Sequence, residues 1–168
     1  MKKWINYLLY LLMVAVLVLV DQLSKVWMSN NLKGHENIVW IKNVFELEYL
    51  ENTGAAFSSF MGKQGFLITI TVIILAFVLY KWTQIPEGKR YFGFRFTFAL
   101  LVAGAIGNLI DRTVQGYVVD FFYFKPINFP RFNVADCYVC VSMFLLAILI
   151  FFVYKDEETE FLFNFKKK

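Results

Sequence analysis

Four uncharged apolar runs limit what this chain can fold into. They are Ile5–Val20, Gly65–Tyr80, Phe96–Ile110 and Cys137–Tyr154, each 15 to 18 residues long. Such a run falls slightly short of the roughly 20 residues needed to cross hydrocarbon. Flanking aromatics, and Lys or Arg side chains that snorkel to the interface, close the gap. Composition agrees, since 59% of the 168 residues are hydrophobic and 18% charged, whereas soluble domains lie nearer half and a quarter. Spans are expected at about 4–22, 64–82, 95–112 and 135–155. The fold class is therefore a membrane all-α four-helix transmembrane bundle, a single integral domain over 1–168.

Lys2 and Lys3 precede the first run, as in a secretory signal. No small-residue cleavage site follows it, so it is read as the first span. Net charge is +4, but the cations stand at span ends, which favours membrane orientation over nucleic-acid binding. Ten Lys or Arg fall in short segments on one side: Lys2, Lys3, Lys81, Lys89, Arg90, Arg95, Lys155 and Lys166–Lys168. The other seven are spread through two longer loops. Positive-inside bias then puts both termini, with a solvated tail at 156–168, in the cytoplasm. Trp4 and Trp82 would mark the inner interface and Trp27 the outer one.

Strand is expected only in the first outer loop, at about 36–58. Ile38–Ile41 is apolar, and Phe45-Glu-Leu-Glu-Tyr49 alternates with period two. Glu51-Asn-Thr-Gly54 reads as the turn that ends this small extracytoplasmic β region.

Because four spans alternate direction, the ends of spans one and three and the starts of spans two and four share one side. The unusual polar residues all lie there: Asp21 and Lys25; Asn52 and Gly54; Asn108, Asp111 and Arg112; Asp120; Asn133 and Asp136. Asp21 and Lys25 are spaced i,i+4 and pair on a helix. Ala99, Ala103 and Gly107 form a small-residue stripe for close helix packing. Asp111 and Arg112 read first as a polar staple for the outer loops. Asn133 and Asp136 have N-cap and N3 spacing.

Asp120 and Asp136 carry the chemistry. A carboxylate beside hydrocarbon loses hydration, and two brought together cannot both ionise cheaply, so they share a proton and work as an acid/base pair. A helix N-terminus favours the anion at Asp136, whereas Asp120, in an apolar loop, should titrate higher. The single histidine, His35, leaves a Ser-His-Asp triad or a metal site almost without ligands, and no glycine-rich phosphate loop follows a strand. No metal or cofactor is expected. Cys137-Tyr-Val-Cys140 reads as buried thiols at the mouth of the fourth span. An ion-coupled transporter would place its carboxylates near the midplane. A membrane thiol oxidoreductase would need both cysteines, so replacing them with Ser separates it from a peptidase.

The pattern resembles the lipoprotein signal peptidases (signal peptidase II), bacterial membrane aspartyl peptidases. It does so through Asp21-Gln-Leu-Ser-Lys25, Asn52-Thr-Gly-Ala-Ala-Phe-Ser58, Gly104-Ala-Ile-Gly-Asn108-Leu-Ile-Asp111-Arg112, Val118-Val-Asp120-Phe121 and Phe132-Asn133-Val-Ala-Asp136. The basic tail and Cys137/Cys140 lie outside the family pattern. The resemblance implies an outer β-cradle and a catalytic dyad of Asp120 and Asp136. Asn52, Gly54, Asn108, Arg112 and Asn133 would line the site, supported by Asp21, Lys25 and Asp111. It further implies cleavage of prolipoproteins on the amino side of a diacylglyceryl-modified cysteine, contact with membrane lipids, and inhibition by globomycin. A monomer in the bacterial cytoplasmic membrane, with the site on the extracytoplasmic face, completes the expectation.

Overall fold

The computed structural model describes residues 2–54 and 62–163, with side chains from Tyr7 onward. Ala55-Ala-Phe-Ser58, Lys166–Lys168 and the side chain of Trp4 lie outside the described residues. In chain order the elements are α1 (Lys2–Leu32), β1 (Ile38–Ile41), β2 (Phe45–Asn52), α2 (Gln64–Gln84), α3 (Phe92–Val114), β3 (Val118–Phe124), α4 (Val134–Ile148) and α5 (Asp156–Phe163). One π-helical turn, Leu149–Val153, prolongs α4. Four helical stretches are long and apolar enough to cross a membrane: Tyr7–Leu32, Gln64–Gln84, Lys89–Val114 and Val134–Val153. The protein is a multi-pass membrane protein.

Helix α3 is the inner member of the bundle. Half of its span is buried, against 6% to 22% for the other three. Phe94, Phe98, Ala99, Val102 and Ala103 of α3 meet Val14 of α1 and Leu75, Val78 and Trp82 of α2. The other faces carry exposed Leu8, Leu11, Leu12, Ile73, Phe144 and Phe152, which suits lipid as the surrounding solvent. Small residues let the helices close up where the polar groups gather. A Cβ on Gly104 would fall 2.5 Å from the Ala135 carbonyl oxygen of α4, and one on Gly107 would fall 2.5 Å from Asp21 Oδ2 of α1.

Three features differ from the sequence reading. First, α1 runs ten residues past 22, because Asp21, Lys25, Met28 and Leu32 continue one buried helical face after the apolar run stops. Second, strand is not confined to the first loop. Val118-Val-Asp-Phe-Phe-Tyr-Phe124 forms β3, completing an antiparallel sheet of order β1-β2-β3. Its β-branched and aromatic residues suit a half-buried strand, and Asp120 thus sits on a strand opposite Leu50. Leu47, Val119 and Phe121 pack this sheet on Met28 and Leu32 at the end of α1.

Third, 156–163 is a helix with a buried Thr159, not a solvated tail. Phe161 stands edge-on to Phe94, with centroids 5.2 Å apart. Trp82 ends α2 turned inward, edge-on to Tyr10 and Phe98.

Candidate active site

At the sheet end, four elements aim polar side chains at one another. Asn133 holds the centre. It is the N-cap of α4 and closes a capping box: its Oδ1 accepts from Asp136 N at 3.0 Å, and Asp136 Oδ2 accepts from Asn133 N at 3.1 Å. The local sequence demands this, since a polar cap and an acidic N3 satisfy the free amides of a helix start. The same Asn133 reaches β3, donating from Nδ2 to Asp120 Oδ1 at 2.7 Å. One side chain therefore joins both aspartates.

The other oxygen of each carboxyl group accepts a bond as well. Asn52, at the end of β2, donates from Nδ2 to Asp120 Oδ2 at 2.7 Å. Asn108 of α3 donates from Nδ2 to Asp136 Oδ1 at 2.7 Å. Its Oδ1 accepts from Asn133 Nδ2 at 3.1 Å and from Lys25 Nζ at 2.9 Å. Gly54 is buried and turns its N–H to Asn52 Oδ1 at 2.9 Å. Its carbonyl accepts from Arg112 Nη2 at 3.3 Å.

Behind this layer lies an ion cluster. Lys25 pairs with Asp21 at 2.8 Å and with Asp111 at 2.9 Å, and all three are buried. The pairing expected from i,i+4 spacing is present, but it lies inside the bundle and spans two helices. Asp21 Oδ1 accepts from Ala135 N at 2.9 Å, so α1 caps the first turn of α4. Asp111 Oδ2 accepts from Val119 N at 3.3 Å, beside Asp120. Asp111 is thus the staple between α3 and β3 that its position suggested. Gln22 joins the cluster, donating to Asp111 Oδ1 at 2.9 Å and to the Gly107 carbonyl at 3.2 Å. Its place between Asp21 and Lys25 is the one signal in the sequence that marks it.

On the side away from the ion cluster lies a cavity of about 520 Å³ lined by Asn52, Asn108, Arg112, Asp120 and Asp136. Its apolar wall comes from Phe129, Pro130, Phe132, Val139 and Val141. The strap 125–132 supplies part of that wall and is tied down by Phe132 bridging to Phe122. Arg131 clasps both Glu48 oxygens, at 2.9 and 2.8 Å, and lies over Tyr123. Apart from Phe132, the strap holds no residue of the motifs that mark the site in the sequence. Cys137 and Cys140 also border the cavity. Both are free and Cys140 is exposed, so the expectation of two buried thiols fails where α4 turns Cys140 out of the bundle.

Burial, and next the neighbouring Asp136, push Asp120 up to about 7, while the amides of Asn52 and Asn133 pull the other way. The upward shift expected from sequence is present, with burial as its first cause. Among the described residues no cluster of three or more His, Cys, Asp or Glu side chains could hold a metal ion. What the arrangement offers is two carboxyl groups joined through one amide, the Asp120 carboxyl pushed up to about 7, at the wall of a largely apolar cavity.

Along most of its length the chain is similar to known proteins. Residues 13–152 match the family described as Signal peptidase (SPase) II. The lipoprotein signal peptidase of Clostridium acetobutylicum is 42% identical over 154 residues, covering 89% of this chain and 97% of that protein. That of Lactococcus lactis subsp. lactis is 40% identical over 162 residues, covering 95% and 100%. A bacterial membrane enzyme solved by the in meso method at 2.3 Å resolution superposes with a TM-score of 0.75 at 27% identity, covering 95% of this chain and 93% of that one. With the family matched over most of its length, the chain belongs to the signal peptidase II family.

Proposed function

We propose that this protein is an aspartic endopeptidase that removes signal peptides from prolipoproteins, cutting on the amino side of a diacylglyceryl-modified cysteine. Asp120 and Asp136 are its catalytic pair. The observation that carries this reading is the joining of both carboxyl groups through Asn133 at the wall of one cavity. Family membership supports peptidase activity on prolipoproteins.

The chemistry follows from the separate settings of the two acids. Asp120, pushed up to about 7, keeps a proton near neutrality and serves as the acid toward the carbonyl oxygen or the leaving amine. Asp136 faces the helix-start amides and Asn108, and takes the proton from the attacking water. The pair titrates as a unit, so the proton belongs to both. Arg112 lines the cavity, and its Nε is buried with no partner among the described residues. That donor, with Asn52, is suited to hold substrate carbonyls. The wall of Phe129, Phe132, Val139 and Val141 takes the acyl chains beside membrane lipid.

In this reading the termini are cytoplasmic and the sheet end faces outward, as the cation distribution favours. The enzyme works as a monomer of the bacterial cytoplasmic membrane and is blocked by cyclic peptides of the globomycin kind. The test is Asp120→Asn and Asp136→Asn in membranes, scored for cleavage of a lipidated precursor. Each should lower the rate by about 10³-fold or more at parental expression. A folded variant that cleaves at the parent rate removes that aspartate from the pair.

A further inference from the structure

A lysine inside a membrane bundle needs a reason beyond helix pairing. Lys25 is 3% exposed, and its ammonium has three partners: Asp21, Asp111 and the amide oxygen of Asn108. Replacing a buried ion triad with well-packed apolar side chains is commonly neutral or stabilising, so stability alone does not account for these charges. The third contact does. Asn108 Oδ1 accepts from Lys25 and from Asn133, which leaves its Nδ2 to face Asp136. A flipped amide would set its NH2 against an ammonium and a second NH2, and its oxygen against a carboxylate. Asn133 is held in one orientation by Asp136 N, so its own NH2 meets Asp120. A line of donors thus runs from the ammonium through Asn108 to Asp136 and meets Asp120 through Asn133.

We propose that Lys25 is a positioning residue for the reaction: it fixes which face of the Asn108 amide meets Asp136, and its charge favours the ionised form of the dyad. The proposal rests on the dyad reading above. The charged and titratable groups around the dyad are Asp21 and Lys25 on α1, Asp111 and Arg112 on α3, Cys137 and Cys140 on α4, and Arg131, paired with Glu48, on the strap; the dyad itself is Asp120 on β3 and Asp136 on α4. Removing the ammonium takes away an attraction for a carboxylate. Removing the charge of Asp111 takes away a repulsion and leaves the ammonium less neutralised. The two changes therefore push the dyad in opposite directions, which a role in folding alone would not do.

The experiment is the pH profile of kcat/KM for cleavage of a diacylglyceryl-modified precursor peptide by full-length protein in lipid. It compares the parent, Lys25→Met, Asp111→Asn and the double variant, with a thermal midpoint for each. The acid limb should move up by about half a pH unit or more in Lys25→Met and down in Asp111→Asn. In Lys25→Met, kcat should fall by about 10-fold or more while KM changes less than about 3-fold. Limbs that stay in place, or move the same way in both variants along with the thermal midpoint, overturn the proposal. If Lys25→Met does not fold, Asp111→Asn and the double variant decide, and an unmoved limb in Asp111→Asn overturns it equally. Parental cleavage by Asp120→Asn would sink the dyad reading instead, a separate outcome.

Discussion

Each end of the bundle buries a lysine, and the two are used differently. At the sheet end Lys25 sits among Asp21, Asp111 and Asn108, and that cluster backs onto a cavity of about 520 Å³. At the α5 end Lys81 is 1% exposed, donates to the Phe161 carbonyl at 3.1 Å and lies over the rings of Phe77 and Tyr80. Around it Tyr91, Phe94, Tyr154 and Phe161 pack ring against ring. The Tyr154 hydroxyl donates to the Arg90 carbonyl, and Arg90 pairs with Glu158 at 3.0 Å. One end is closed by aromatic packing and a docked helix. The other spends its polar side chains on each other and stays open. The proposed chemistry fits the second arrangement, because satisfied amides and carboxylates around a cavity are already oriented for a substrate.

The largest test of that contrast is Gly107→Val. Its Cβ would fall 2.5 Å from Asp21 Oδ2 and 3.2 Å from Ala135 Cβ, where α1, α3 and α4 meet. Overpacking at such a point costs about 1–3 kcal/mol and shifts the Asn108–Asp136 contact. Cleavage should be lost and the thermal midpoint lowered. A variant with parental activity would mean that the close packing at the sheet end does not hold the site.

Much of this contrast was readable beforehand, for definite physical reasons. Long apolar runs fix spans, and alternation of direction brings Asp21, Asn52, Asn108, Asp120 and Asp136 to one end without any knowledge of packing. The cap at Asn133 and Asp136 was visible because helix starts have few solutions. Less visible was whatever depends on long-range pairing. Residues Val118–Phe124 contain Asp120 and read as a loop, because their partner strand lies some 70 residues away. The extent of α1 to Leu32 was hidden because its buried face turns polar at Asp21 and Lys25. The docking of α5 was hidden by its four acidic residues, although Phe161 supplies the anchor.

The pH dependence sharpens the contrast next. Asp120 is protonated below about 7 and ionises above it. As the pH rises through that value the pair loses the proton it shares, so kcat/KM for precursor cleavage should fall on an alkaline limb near pH 7. A profile flat from pH 6 to about 9 would remove Asp120 as the acid.

The smallest effect belongs to the other lysine. Lys81→Met should leave cleavage within about 3-fold of the parent while lowering the thermal midpoint, because it disturbs only the seat of α5. A loss of activity as large as that of a sheet-end variant would mean the two ends are coupled and the contrast is wrong.

The most direct measurement is a crystal structure of the protein in lipid with a peptide whose scissile bond is replaced by a tetrahedral hydroxyl. The account predicts that hydroxyl within about 3.2 Å of a carboxyl oxygen of both Asp120 and Asp136. A hydroxyl bound to one aspartate while the other turns away, or seated outside the cavity, would contradict it.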